Sequence, residues 1–271
     1  MKLRIRHEMR YRYDAPVRSS TQYLRLMPRD TARQKVPAWK IDAPEPPVRT
    51  TDGYGNVLHV LTLDRRVSEI RITASGTVET SPSVDQPSDF TGVPLPPLVF
   101  LRATALTRAE GKLAAFMEGF RGGAKSPSLE GPRGLRRLRA LATAIHQKMP
   151  FDAGDLRVSP GADAAFVARS GSDHDLAHAF IACARGLGHP ARYVSGYLCE
   201  SERPGTTVTN RAWVEVWVED HWRSFDLARD APIGEGHVKV AVGADYLDAC
   251  PIRGVRVGGG VETMTSHAQL V

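Results

Sequence analysis

The chain has 271 residues, of which 42% are hydrophobic and 24% are charged, so it can bury the core of one large domain or of two smaller ones. Its three cysteines are too few, and odd in number, for the disulfide framework of a small secreted protein. The formal net charge of +6 at pH 7 permits an acidic partner without identifying one.

No stretch of the sequence approaches the roughly 20 consecutive apolar residues that a membrane helix needs. The opening residues, MKLRIRHEMRYRYDAP, alternate charged and apolar side chains and lack a continuous apolar run of signal-peptide length. We therefore expect a soluble, cytoplasmic protein that has no membrane partner.

Residues 1–90 have the pattern of short β-strands. The segment LRIRHEMRYRY alternates with a period of two, and VLHVLTL, EIRITA and GTVET are short apolar runs bounded by turn residues. The turn at residues 52–56, DGYGN, carries two glycines and an asparagine, which tolerate positive φ. This pattern predicts a β-sandwich or a partly open barrel.

Residues 81–97, SPSVDQPSDFTGVPLPP, are rich in proline and serine. They predict a connector, because each proline removes an amide donor and disfavours a helix before it. We place a domain boundary there, with one domain at residues 1–90 and a second at residues 91–271.

Helical and strand patterns both occur after the connector. Amphipathic patterns predict helices at residues 107–120, 134–148 and 172–187, the last of them ended by Gly188 and Pro190. The segments ARYVSGYL, RAWVEVWVED and HWRSFDLA then predict antiparallel strands, and a glycine-rich tail predicts a last strand. Helices followed by antiparallel strands are typical of an α+β fold.

The second of these helices carries much of the excess positive charge. Its arginines interleave with leucines at helical spacing, at positions Arg133, Leu135, Arg136, Arg137, Leu138, Arg139 and Leu141. We interpret this pattern as an amphipathic helix with a solvated basic face. A nucleic-acid site is disfavoured, because the sequence has no zinc-finger spacing, RNA-binding signature or interleaved aromatic residues.

Two blocks of the second domain, GSDHDLAHAFIACARGLGHPARYVSGYL and RAWVEVWVEDHWRSFD, together resemble the core of bacterial transglutaminase-like proteins, a branch of the papain-like cysteine-enzyme fold. The segments RHEMRYRYDAPVRSS, LRLMPRD and DGYGN resemble the β-rich N-terminal domain often fused to that core. The resemblance covers nearly the whole chain. It implies a β-sandwich-like first domain, followed by helices packed on an antiparallel sheet.

The resemblance also implies a catalytic triad of cysteine, histidine and aspartate. The cysteine position is Asp173 here, and the histidine position is Arg211. The aspartate is kept as Asp226, but the proline and threonine that usually follow it are Leu227 and Ala228. A guanidinium cannot act as a base, and a carboxylate is a poor nucleophile towards amides. We expect Asp173 and Arg211 to form a bidentate ion pair instead.

Other residues near these positions are candidates for a nucleophile or a helix cap. Cys183 lies ten residues further along the same helix, about 15 Å away, and is expected in the core. Cys199 is expected near the mouth of the cleft, although no histidine is placed to activate it. We interpret Cys250 as a core or loop residue and Ser172 as the helix N-cap.

Two histidines, His174 and His178, stand four residues apart on one helix face. This spacing can bind a metal if a third ligand, such as Asp226, comes from elsewhere. The resemblance implies a structural role for His178, and we expect no metal and no cofactor. Trp213 shares a strand face with Glu215, and we interpret it as a core residue rather than as part of a binding surface.

These residues leave three functional hypotheses. The first is a non-catalytic binding or scaffolding module, a pseudoenzyme whose ancestral cleft holds a protein or peptide segment. The second is a repurposed enzyme in which Asp173, His174, His178 and Asp226 carry acyl-transfer, acid–base or metal-assisted chemistry. The third is a cysteine-dependent amidase, peptidase or transamidase, which rests on family analogy and needs a reactive Cys199. We favour the first.

Overall fold

The computed structural model describes residues 1–82, 95–121, 131–152 and 160–271. The described part contains two β-sheets, one of seven strands and one of four, together with five α-helices. None of these helices is long and apolar enough to cross a membrane. Most of the expected connector, at residues 83–94, lies outside the described part, so the boundary near residue 90 stays a prediction.

The seven-stranded sheet is organised around its first strand. With strands numbered in chain order, its members are β1 (Lys2–Leu24), β2 (Gln34–Asp42), β3 (Val48–Thr51), β4 (Val57–Leu63), β5 (Val67–Thr80), β10 (Ile252–Gly258) and β11 (Glu262–Leu270). The order is β2-β5-β1-β4-β3, and both β10 and β11 pair antiparallel with β1. The tail therefore belongs to the first sheet, which corrects its expected place in the second domain.

Strand β1 gives the first sheet its core. Buried residues such as Ile5 and Met9 alternate with more exposed ones along it, as the period of two predicts. The pairing of β1 with β5 shifts register between Arg12 and Val17. Met9 and Leu24, from opposite halves of β1, belong to one apolar cluster, so the sheet curls around its own core. This confirms the expected β-sandwich-like first domain.

The four-stranded sheet carries the helices. Its strands are β6 (Ala191–Leu198), β7 (Thr209–Val218), β8 (His221–Phe225) and β9 (His237–Gly243), in the order β8-β7-β6-β9. The helices are α1 (Gly111–Glu118), α2 (Gly131–Lys148), α3 (Ala162–Ala168), α4 (Asp173–Gly186) and α5 (Tyr246–Ala249). Helix α4 packs on β7 with Leu176 and Phe180 fully buried, and burying such a side chain contributes about 1.5–3 kcal/mol. The expected α+β class is confirmed.

Side chains of the first sheet close one edge of the second. The amide of Gln34 donates to the carbonyl of Lys239 (2.8 Å) and accepts from its N–H (2.9 Å). Asn56 makes the same two contacts with Val242, at 2.7 and 2.8 Å. The backbone N–H and carbonyl groups of Lys239 and Val242 point to the same edge of β9. They do so because Val240 is an extra residue in this strand, where the register with β6 shifts. The two amides therefore take the place of a neighbouring strand.

An apolar cluster accompanies these hydrogen bonds and joins the two sheets. It consists of Leu3, Ile5, Val78, Tyr197, Cys199, Val208, Val238, Val240, Ala268 and Leu270. The guanidinium of Arg33 adds hydrogen bonds to the carbonyls of Gly234 (2.6 Å) and His237 (3.0 Å). The two sheets thus share one interior, and the loop before β9 is fastened to the first sheet.

Removing the amide of Gln34 should destabilise the protein. Gln34→Ala leaves the N–H and the carbonyl of Lys239 buried without their partner, and such a loss costs about 1–3 kcal/mol. Urea denaturation measures the change. Gln147→Ala, on an exposed part of α2, is the control, with an expected effect within about 0.5 kcal/mol. Equal stability of the two variants would contradict the role of the amide in closing the β9 edge.

Candidate functional site

The start of helix α4 is fixed by its own polar side chains. The Oγ of Ser172 accepts from the N–H of Asp175 (3.4 Å), and the carboxylate of Asp175 accepts from the N–H of Ser172 (3.1 Å). This reciprocal capping box agrees with the interpretation of Ser172 as the N-cap. Gly171 precedes it because a Cβ there would lie 2.7 Å from the Cβ of Asp175. The arrangement puts Asp173 in the first turn of the helix.

Asp173 does not pair with Arg211. Its Oδ2 accepts a hydrogen bond from the N–H of Ala212 (2.7 Å), which ties the start of α4 to β7. Its Oδ1 lies 3.9 Å from Nδ1 of His174. The expected ion pair between Asp173 and Arg211 is therefore wrong, because a backbone N–H engages Asp173 and another carboxylate engages Arg211.

That carboxylate belongs to Asp226, which is buried. Arg211 donates to it from Nη2 to Oδ1 (2.9 Å) and from Nε to Oδ2 (3.2 Å). Nε2 of His237 lies 3.0 Å from Oδ2, and the N–H groups of Ala228 and Arg229 donate to Oδ1 at 3.1 and 3.3 Å. Burial alone would raise the pKa of Asp226, but His237 and the charge and hydrogen bonds of Arg211 outweigh it and hold that pKa below its ordinary value. Asp226 is thus an ionised carboxylate that accepts five hydrogen bonds.

His237 is a residue of this site that the sequence pattern did not predict. Its Nδ1 accepts from the N–H of Gly234 (3.0 Å), so the ring proton is on Nε2 and is directed at Asp226. The guanidinium of Arg211 also lies over the ring of Phe151, 5.1 Å from the ring centre. No spacing rule links Asp226 to His237. The available signal was a histidine at the start of the segment HVKVAVG, whose alternating valines are typical of a strand.

His174 and His178 have different partners and do not converge on one point. Nδ1 of His174 lies 2.5 Å from the hydroxyl of Tyr193. Nε2 of His178 accepts from the N–H of Tyr246 (3.1 Å), and burial lowers the pKa of His178 to about 3, so its ring is neutral. Within the described part of the chain, no group of three His, Cys, Asp or Glu residues could hold a metal ion.

Burial makes all three cysteines poor nucleophiles. They are free thiols, and burial raises the pKa of Cys183 and of Cys199 to about 12 and also raises the pKa of Cys250. Cys199 packs in the apolar cluster between the two sheets, which corrects its expected position at the mouth of the cleft. Cys183 and Cys250 are buried, in agreement with their interpretation as structural residues.

A second buried ionic group lies on the face of β7 that carries Trp213. Arg192 donates from Nε to Oε2 of Glu215 (2.7 Å), and Nζ of Lys239 lies 2.5 Å from Oε1 of the same carboxylate. The guanidinium of Arg192 also lies 4.0 Å from the centre of the Trp222 ring. Trp213 is fully buried, as expected for a core residue. These charges are enclosed by the fold and not presented to a ligand.

A cavity of about 540 Å³ lies between helix α2 and the end of β8. We call it the α2–β8 groove. Helix α2 contributes Leu135, Arg139 and Ala142 to the lining of this groove, and residues 223–226 and 230–232 contribute the rest. Asp226 therefore lies between two environments, with its carboxylate directed at Arg211 and His237 and part of the residue in the wall of the groove.

Comparison with known proteins gives two family matches. Residues 3–79 match the bacterial transglutaminase-like N-terminal region, and residues 105–227 match the transglutaminase-like superfamily. An uncharacterised protein of Mycobacterium leprae is 30% identical over 274 residues, covering 96% of this chain and 94% of the relative. An uncharacterised protein of Mycobacterium tuberculosis is 31% identical over 277 residues, covering 93% of this chain and 86% of the relative.

One solved structure shares the fold over the whole length of the chain. It is that of a candidate cysteine protease from Cytophaga hutchinsonii, with a TM-score of 0.76 and 21% sequence identity, covering 100% of this chain and 90% of that chain. At this identity the likeness concerns the arrangement of the two sheets and their helices, and not the chemistry of the site.

Replacing Asp226 should destabilise the protein in a way that depends on pH. Asp226→Asn removes the charge that Arg211 needs, and breaking a buried ion pair costs about 3–5 kcal/mol. Because folding lowers the pKa of Asp226 from its ordinary value of 3.8, the ionised carboxylate stabilises the fold above that pH. This stabilisation is lost as the pH falls through the folded pKa.

The difference between wild type and Asp226→Asn in urea denaturation should therefore be large at neutral pH and shrink below pH 3.8. Asp42→Asn, at an exposed position on β2, controls for the general effect of removing a carboxylate. A deficit that stays constant over the acidic range would contradict the assignment of Asp226 as a carboxylate stabilised by Arg211.

Proposed function

We propose that this chain, which belongs to the transglutaminase-like superfamily, is a non-catalytic binding or scaffolding module. Chemistry of the kind that the superfamily implies needs a thiolate nucleophile and a base that a carboxylate orients. The corresponding positions here are Asp173, Arg211 and Asp226, so the proposal starts from a degenerate triad.

The ion pair between Arg211 and Asp226 carries the proposal. A guanidinium keeps its proton in a folded protein, so Arg211 cannot take a proton from a nucleophile. Asp226 already accepts five hydrogen bonds, which leaves no lone pair to orient a separate base. His237 contacts Asp226, but its other nitrogen accepts the N–H of Gly234 and is not available to a substrate.

The two catalytic hypotheses have less support. Asp173 accepts the N–H of Ala212 with Oδ2, Nδ1 of His174 is engaged by Tyr193, and Oδ1 of Asp173 lies 3.9 Å from that Nδ1, so the two side chains are not hydrogen-bonded to each other as an acid–base pair. A cysteine-dependent reaction would need Cys199, whose thiol is buried and has a raised pKa.

The partner class that we propose is a protein or a peptide segment. A peptide-processing fold that has lost its catalytic residues can still bind such a ligand in its cleft. We also place the protein in the cytoplasm, where three free, buried cysteines would stay reduced. In this role the site residues stabilise the module, and binding takes place on its surface.

The protein should neither cleave nor transamidate a protein substrate. Incubation with casein and a fluorescent primary amine tests both reactions, through released peptides and through incorporated amine. Asp173→Asn is the matched control, since it keeps the shape of the side chain and removes its charge. A rate above background in the wild type that disappears in Asp173→Asn would overturn the proposal in favour of a repurposed enzyme.

Restoring the two replaced groups should restore thiol reactivity. Asp173→Cys puts a thiol at the start of α4, and adding Arg211→His frees Asp226 to orient an imidazole beside it. The pH midpoint of iodoacetamide alkylation should fall by at least about 1 pH unit in the double variant relative to Asp173→Cys alone. Identical pH profiles would mean that position 211 does not serve position 173.

A further inference from the structure

We propose that the α2–β8 groove holds an extended, acidic segment of a partner protein, which adds as a strand to the edge of β8. The inference rests on the proposed function, since the segment is held and not processed. It depends on three features of the groove: the strand edge beside it, the charge of its helical wall and the apolar side chains of its floor.

One edge of β8 lies beside the groove; directly after the strand, Asp226 already pairs with Ala231 in an isolated antiparallel bridge, so the length open to a partner is His221–Phe225. In the four-stranded sheet β8 is a terminal strand that pairs with β7, and no other described strand pairs with it. The opposite terminal strand, β9, is closed by the amides of Gln34 and Asn56. A terminal strand presents unpaired backbone groups, and an extended peptide can satisfy them by adding a strand. The sheet thus has one edge sealed internally and one edge beside a cavity.

Helix α2 gives the groove a positive wall. Its sequence, GPRGLRRLRALATAIHQK, has four arginines and no acidic residue. Arg139 is exposed and lines the groove, whereas Arg133 is exposed and outside its lining. Arg223 also lines the groove but pairs with Glu219 (3.7 Å), and the two acidic lining residues are engaged too, Asp226 by Arg211 and Asp230 by Thr143 (3.0 Å). This balance of charge favours acidic side chains on the bound segment.

The floor of the groove is apolar. Leu135 and Ala142, seven residues apart on one face of α2, contribute to it together with Phe225 at the end of β8. An extended segment directs alternate side chains to opposite sides, so apolar residues can meet the floor while acidic ones meet Arg139. A nucleic-acid backbone could use the positive charge but not the apolar floor. The groove therefore fits a peptide better than a nucleic acid.

Fluorescence anisotropy with a labelled peptide of about nine residues that alternates glutamate and valine tests the proposal on the intact protein. We expect saturable binding, and at least tenfold weaker binding of the matched lysine–valine peptide. Arg139→Glu should weaken the glutamate–valine peptide at least tenfold, whereas Arg133→Glu, the same charge change on the same helix but outside the groove, should change it less than twofold. Methylating alternate backbone nitrogens of the peptide should abolish binding, because strand addition needs those N–H groups.

Several outcomes would overturn the proposal: no binding of the glutamate–valine peptide at about 1 mM, equal effects of Arg139→Glu and Arg133→Glu, or full binding of the methylated peptide. Competition by a short single-stranded DNA at equal affinity would instead identify a nucleic-acid surface. Mass spectrometry of the recovered peptide separates this inference from the proposed function. Binding followed by cleavage would refute the non-catalytic role and keep the groove, while absence of both binding and cleavage would refute the groove alone.

Discussion

A buried carboxylate can accept only a few hydrogen bonds, and the donors that surround Asp226 determine how the second sheet is held together. Arg211 connects it to β7, His237 connects it to the start of β9, and the N–H groups of Ala228 and Arg229 connect it to the turn after β8. The next residue on β7 donates its N–H to Asp173, so the start of α4 is held to the same strand. Three strands therefore meet through the carboxylate of Asp226, and helix α4 is held to one of them by the carboxylate of Asp173.

The local sequence pattern was sufficient to predict helices and strands, but not which strands pair with each other. Period-two alternation located β1, and amphipathic spacing located α1, α2 and α4, since these signals are carried by neighbouring residues. Helices α3 and α5, of seven and four residues, are too short to give a periodic signal and were not predicted. The pairing of β10 and β11 with β1 was also missed, because register between strands at opposite ends of a sequence is set by tertiary contacts.

The sequence likewise predicted which residues occupy the candidate site, but not which of their side chains pair. The resemblance identified Asp173, Arg211 and Asp226, and their charges allowed Arg211 to pair with either carboxylate. The sequence contains no measure of distance, and the expected choice of Asp173 ignored the backbone N–H of Ala212, which every strand can offer. His237, eleven residues beyond Asp226, entered the site through the fold of the intervening loop. Hydrogen-bond capacity, rather than charge alone, decides such pairings.

The course of β1 has a consequence for how the protein is made. Ile5 pairs with Leu270, and Val17 pairs with Gly258, so β1 is synthesised long before the two strands that cover one of its edges. During that interval one edge of β1 lacks the strands that later cover it, and such an edge can pair with other nascent chains. Contacts this distant in sequence also slow folding. The seven-stranded sheet therefore begins with strands synthesised before the four-stranded sheet and is completed by strands synthesised after it.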